Sequence, residues 1–250
     1  LLGGHGKIGR LLTPLLLSRS WTVTSLIRTP SQIPTIQSLA PPSSPGTLHT
    51  LVHSLEDIKS PSDAQSIIDK VRPDYIVFSA GAAGQGGPAR TYAIDRDAAI
   101  CFIRAAAATP RATKFLLVSY IASRRNKPAW WDGDVWEGAK EGNRALETYY
   151  QAKVEADEAL YKAGMEREGW TAICLRPGTL TAEKAGNVEL GKTRGSQGAV
   201  SRASVARVMD ELLAREGVGN VWLDLLDGEE EIGRAVERVV GEGVDAAEGE

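Results

Sequence analysis

Short apolar runs alternate with amphipathic segments along the whole chain. Trp21–Ile27, Asp74–Ser79, Lys114–Ser119, Trp170–Arg176 and Val221–Leu226 are apolar over most of their length, which predicts buried strands, and Leu48–Val52 is a weaker sixth. Between them, Lys7–Ser18, Ser62–Val71, Pro88–Ala108, Asn143–Ala163, Arg202–Arg215 and Glu229–Val240 have helical spacing. Strand alternating with helix implies right-handed βαβ units. The expected fold is therefore α/β, a doubly wound parallel sheet in the order 3-2-1-4-5-6-7. Its first, central strand is reduced to Leu1–Leu2, as expected of a chain trimmed at its start or with a misplaced gene start. A single domain over residues 1–240 is expected, followed by a frayed acidic tail over 241–250.

The start of the first predicted helix carries the most chemistry. Leu1 and Leu2 run into Gly3-Gly4-His5-Gly6-Lys7-Ile8-Gly9-Arg10. Glycines at 3, 6 and 9 suit a sharp strand-to-helix turn, close approach of backbone to a pyrophosphate, and tight helix–sheet packing. The free N–H groups of the helix start, including those of Lys7 and Ile8, then face the phosphates. This is the arrangement of a Rossmann-type dinucleotide site. An NAD reader needs an acid about 20 residues on, at the end of the second strand. Here no acid precedes Glu56, and Arg28 closes that strand. A guanidinium there can hold a 2′-phosphate, with Thr29 and Ser31 adding hydroxyls, so NADP(H) is expected over NAD(H).

Tyr149 and Lys153 stand four apart, on one face of a predicted helix. A phenol is a poor acid–base group at neutral pH, and a nearby ammonium is expected to lower its pKa. The pair follows the strand ending at Val118–Ser119.

The Gly3/Gly6/Gly9 turn, the Tyr149/Lys153 pair and Leu175-Arg176-Pro177-Gly178 resemble the short-chain dehydrogenase/reductase superfamily. The pattern is most similar to its atypical branch, the NmrA-like or NAD(P)H-binding proteins related to epimerase/dehydratases. Ser79-Ala80-Gly81, Asp95-Arg96-Asp97-Ala98 and Ala152-Lys153…Ala156-Asp157 extend the match. The resemblance implies that Tyr149 exchanges a proton and that Lys153 also meets the nicotinamide ribose. It implies that Ala80, Gly81 and Ala82 border the cofactor, with Pro177, Gly178 and Thr179 beside the nicotinamide. The family's adenine-binding acid is here Ser54, followed by Leu55. For the serine or threonine that polarises the substrate carbonyl, Ser119 and Ser123 compete, while Ile121 occupies the position that an extended-type pattern gives it. The implied function is an NADP(H)-dependent oxidoreductase of a small-molecule carbonyl or alcohol. The alternatives are a non-catalytic NAD(P)(H)-responsive regulator and, behind it, a nucleotide-sugar epimerase or dehydratase.

Charge and composition narrow the partners. Lys plus Arg is 29 against 32 for Asp plus Glu, a net charge of -3, which gives no electrostatic footprint for nucleic acid. No apolar run is long enough to span a bilayer. Cys101 and Cys174 both lie in apolar stretches, which fits a reducing, cytoplasmic setting. The expected assembly is a monomer or homodimer. His5, His49 and His53 have no acidic or thiol cluster around them, so no metal is expected. Three of the six tryptophans, Trp130, Trp131 and Trp136, fall in the segment 124–142. They are expected as an apolar substrate lid, with Arg124, Arg125 or Lys127 meeting an anion, or as a packed loop or dimer contact. The segment 182–200, with Lys192 and Arg194, is a second rim.

Overall fold

The computed structural model describes residues 1–82 and 84–248. Its strands are Thr22–Ile27 (β1), Thr47–Val52 (β2), Tyr75–Phe78 (β3), Lys114–Val118 (β4), Thr171–Pro177 (β5), Thr179–Thr181 (β6), Val188–Gly191 (β7), Ala199–Ser201 (β8) and Val221–Asp227 (β9). The helices are Lys7–Ser18 (α1), Ile33–Gln37 (α2), Pro61–Val71 (α3), Gly87–Thr91 (α4), Ala99–Ala107 (α5), Gly133–Ala145 (α6), Glu147–Glu166 (α7), Arg202–Ala214 (α8) and Ile232–Gly241 (α9). A π-helical stretch, Tyr92–Ala98, joins α4 to α5.

The chain forms an α/β fold dominated by a parallel sheet. β1 pairs with β2, and β3, β4, β5 and β9 pair in turn, all parallel. Leu2 joins the two parts, bridging Leu26 on one side and Phe78 on the other. Its N–H donates to the Val77 carbonyl at 2.8 Å, and the Ser79 N–H donates to its carbonyl at 3.0 Å. β7 adds an antiparallel edge beside β9, and β6 pairs with β8 in a separate two-stranded ribbon. Neither feature was legible as a strand, because each is three or four residues long.

Alternation along the buried strands feeds two cores. Phe115 and Leu117 of β4 face α3, α5 and α7, together with Phe78, Phe102 and Trp170. Leu116 and Val118 face α1, α8 and α9, with Leu12, Leu16 and Met209.

Two expectations change. The helix expected over Asn143–Ala163 is two helices, because α6 ends at Ala145 and α7 starts at Glu147. The tail also packs as far as it is described. Ala246 is fully buried, its N–H donates to the Trp222 carbonyl at 2.8 Å, and Asp245 accepts from the Trp222 N–H. Small side chains let this segment seat against the indole of Trp222. Residues 249–250 lie outside the described residues.

Candidate active site

The glycine turn is built by close approach. Gly3 has φ +81°, and a Cβ there would lie 2.7 Å from Ala80 Cα. A Cβ on Gly9 would lie 2.9 Å from the carbonyl oxygens of Gly3 and Gly4. α1 therefore starts hard against the turn. Gly6 caps it without a side chain, and no acid stands in its first turn, so its leading N–H groups remain available to an anion. Around this cradle the Ser25 Oγ, Ser79 Oγ and Arg10 Nε are buried without a hydrogen-bond partner. Such orphaned groups beside a helix N-terminus suit a phosphate-bearing ligand, and the residues present fit a dinucleotide. Ile8, by contrast, sends its side chain into the core.

Arg28 follows β1 and is exposed, as is Lys7 on the first turn of α1. The Arg28 and Thr29 N–H groups both donate to Gln32 Oε1, and Thr29 Oγ1 lies 2.9 Å from Ser31 Oγ. Ser54 spends its hydroxyl on its own turn, accepting from the Glu56 N–H at 3.2 Å, and Leu55 is buried beside it. Glu56 in turn holds Arg90 at 2.9 Å. After β3, Ala80 touches the glycine turn, and Gly81 lies against Asp95. Asp95 accepts from the Ala82 N–H at 2.8 Å and is itself buried, which pushes its carboxyl up. Ala83 lies outside the described residues.

Tyr149 and Lys153 share one face of α7 at the C-terminal ends of β4 and β5. Lys153 is buried, and its Nζ donates to the Val118 carbonyl at 2.7 Å. The Tyr149 ring sits 5.0 Å from the Tyr120 ring, inclined by 41°. Burial pushes the Tyr149 phenol up, and the Asp95 and Asp157 carboxylates push it further. The expected lowering by Lys153 is not found. The ammonium is committed to a backbone carbonyl, while two carboxylates bear on the phenol.

Both candidate serines point into the protein. Ser119 Oγ donates to Asp157 Oδ2 at 2.6 Å, and Ser123 is fully buried beside the same carboxylate. Pro177, Gly178 and Thr179 lie at the β5–β6 junction. The Pro177 carbonyl accepts from the Ile121 N–H at 3.0 Å, which ties this segment to the loop after β4.

Below the site lies a buried charge network that sequence reasoning missed. Arg124, Asp157, Arg176 and Asp224 are all fully buried. Arg124 Nη2 donates to Asp224 Oδ2 at 2.7 Å and Nη1 to the Ala246 carbonyl at 2.6 Å. Arg176 lies 3.7 Å from Asp224 and 4.0 Å from Asp157, stacks 4.4 Å over the Trp222 ring, and donates to the Ser123 carbonyl. Two cations and two carboxylates balance out of water. Arg124 is thus an internal structural group and does not meet an external anion. Nothing local marked it, although Asp157 and Arg176 stood within the family motifs.

The tryptophan segment is packed. Trp131 is buried with Ile121, Ala122, Ala139 and Leu226, and its Nε1–H donates to the Thr193 carbonyl at 2.9 Å. Ser196 Oγ donates to the Val135 carbonyl, binding the two rim segments together. Asn143 on α6 donates to the Ala122 carbonyl and accepts from the Tyr120 hydroxyl at 2.5 Å. Lys127 Nζ donates to the Trp131 carbonyl, Arg125 pairs with Glu158, and Lys192 pairs with Glu248. Among the described residues, no group of His, Cys, Asp and Glu could hold a metal, and no helix is long and apolar enough to cross a membrane.

Comparison with known proteins decides the family. The model of the NAD(P)H-binding family matches residues 3–216. The chain belongs to that family. It is 29% identical over 238 residues to the UPF0659 protein C216.03 of Schizosaccharomyces pombe, covering 94% of this chain and 91% of that protein. It is 28% identical over 241 residues to the uncharacterized sugar epimerase YhfK of Bacillus subtilis, covering 96% and 98%. Among solved structures, the oxidoreductase ylbE of Lactococcus lactis superposes with a TM-score of 0.73 at 20% identity, over 96% of this chain and 95% of that one. ChuY, an anaerobilin reductase of Escherichia coli O157:H7, does so with 0.67 at 19%, over 92% and 97%. The fold is that of the Rossmann-type NAD(P)-binding oxidoreductases and epimerases.

Proposed function

We propose that the protein is an NADP(H)-dependent oxidoreductase acting on a small-molecule carbonyl or alcohol in the cytoplasm. The observation that carries this reading is the placement of Tyr149 and the buried Lys153 at the sheet end that also bears the glycine cradle. When bound, the nicotinamide supplies or accepts the hydride. The protein's own part is proton and position. The Tyr149 phenol, held protonated by burial and two carboxylates, donates its proton to an oxygen gaining charge during reduction. Lys153 carries the cation that steadies the site after that proton leaves, and its ammonium can also reach a ribose hydroxyl. Gly3, Gly6, Gly9 and the N–H groups of Lys7 and Ile8 take the pyrophosphate. Arg28, on a chain with no acid before Glu56, favours a 2′-phosphate.

Titration calorimetry is expected to show NADPH binding about tenfold tighter than NADH, or about 1.4 kcal/mol, with Arg28→Ala removing most of the difference. Tyr149→Phe should lower turnover of a carbonyl by about 10²-fold with NADPH affinity retained. Equal affinities would refute the cofactor preference, and unchanged turnover in Tyr149→Phe would refute the role of the phenol. A second reading, a cofactor-responsive regulator, is favoured by one observation: both serines are turned away from the substrate side, toward Asp157. NADPH binding without turnover of any carbonyl would bring it forward.

A further inference from the structure

β1 ends at Ile27, and the chain then turns. Thr29 is extended at φ −135°, ψ 150°, Pro30 opens a single 3₁₀ turn over Pro30–Gln32, and α2 follows directly. The Ile27 carbonyl still accepts from the His53 N–H at 2.8 Å, so Ile27 is the last residue of β1 tied to β2. Beyond it the backbone is held by a side chain. Gln32 Oε1 accepts from the Arg28 N–H at 2.9 Å and from the Thr29 N–H at 3.3 Å, while the Gln32 N–H donates to the Thr29 carbonyl at 3.1 Å. Ile36 of α2 is fully buried, which anchors the far end of this clamp.

The clamp decides which groups are left for a ligand. The N–H groups of Arg28 and Thr29 are taken by Gln32, and Pro30 has none. Anion recognition at this strand end therefore falls to side chains. The Arg28 guanidinium is exposed and makes no hydrogen bond or ion pair among the described residues. Thr29 Oγ1 and Ser31 Oγ lie 2.9 Å apart and one donates to the other, so one hydroxyl hydrogen of the two is left for an acceptor. A cation on a long flexible stem binds more tightly when the backbone that carries it is fixed beforehand.

We propose that Gln32 is a positioning residue for the 2′-phosphate of NADP(H), holding the Arg28–Thr29 backbone so that the guanidinium and the hydroxyl pair are presented to one anion. The assignment rests on the NADP(H) reading for the identity of the ligand, and on the two hydrogen bonds to Gln32 Oε1 for the role. NADH has a hydroxyl where NADPH carries the phosphate, so it offers Arg28 no charge-assisted hydrogen bond. Gln32 therefore matters to NADPH and not to NADH.

The test is a double-mutant cycle on the full chain: native, Gln32→Leu, Arg28→Ala and the two together, each titrated with NADPH and with NADH by calorimetry. Gln32→Leu removes the acceptor. It should weaken NADPH about threefold or more and leave NADH at its native affinity. In the Arg28→Ala background the same substitution should change the NADPH-to-NADH ratio by a factor of about one, because the group it positions is gone. An unchanged ratio in Gln32→Leu would overturn the proposal. So would an equal fall for both dinucleotides, which marks a general loss of structure, or a loss of the same size with and without Arg28, which marks action independent of the guanidinium. A native chain that binds both dinucleotides equally overturns the NADP(H) reading and this inference with it. A native preference for NADPH that Gln32→Leu leaves intact overturns the positioning role alone.

Discussion

Replacing Gly3 by alanine perturbs the glycine turn in two separable ways. At φ +81° an L side chain is strained, which costs on the order of 1–2 kcal/mol. The new Cβ would also lie 2.7 Å from Ala80 Cα and 2.8 Å from Ala80 N, both rigid backbone atoms. Opening that contact adds overpacking of about 1–3 kcal/mol. Gly169 supplies the control, with φ +71° and no atom within 4 Å of its Cβ position, so Gly169→Ala carries the strain alone. For a chain of this length, about 1 kcal/mol shifts Tm by roughly 2–4 °C. Gly3→Ala should therefore melt about 2–12 °C below Gly169→Ala in scanning calorimetry. It should also lose most of its NADPH affinity, because α1 and its free N–H groups are hung from the turn. Equal melting points for the two variants, with cofactor affinity intact in both, would refute the close-approach argument.

The pH dependence follows from the direction in which Tyr149 is shifted. Its phenol is held above the ordinary value of about 10, so the proton donor is present at every lower pH. Reductive turnover should show no loss assignable to Tyr149 up to about pH 10, while the oxidative direction, which needs the phenolate, should climb about tenfold per pH unit. A reductive rate that falls between pH 7 and 9 and keeps that limb only when Tyr149 is present would contradict this. Asp224→Ala would remove the buried carboxylate that faces both Arg124 and Arg176, a loss of about 3–5 kcal/mol, read as a large fall in the denaturant midpoint. A midpoint within error of the native chain would show that the network is not a source of stability.

β4, β5 and β9 were visible because each is an apolar run buried on both faces, and the glycine turn because its spacing answers a geometric need. The Tyr149/Lys153 pair was visible for the same reason, since four residues make one helical turn. The electrostatics of that pair were not. They depend first on burial and on Asp95, which meets Tyr149 only through folding, and then on Asp157, two turns along α7. Tyr120 and Asn143 meet across 23 residues, and Arg124 and Asp224 across 100, so no local pattern announces either contact. Ser119 had the right position along the chain, but strand alternation cannot say that its hydroxyl is claimed by Asp157. The docked tail was hidden by its composition, because Ala246 and Ala247 are apolar only weakly and matter through the space they leave.

The reach of Arg124 has a consequence for how the protein is made. Its guanidinium finds one partner 100 residues later and another 122 residues later. At the usual pace of synthesis, about 5–20 residues per second, the second arrives roughly 6–24 s after Arg124 itself. Until then the buried network lacks the Ala246 carbonyl, and for most of the interval it lacks Asp224 as well. The chain up to α7 can collapse before then, but its buried charge network cannot close. Completion of the floor beneath Tyr149 therefore waits for residues made long after α7, and a chaperone that shields half-made sheets can act in between.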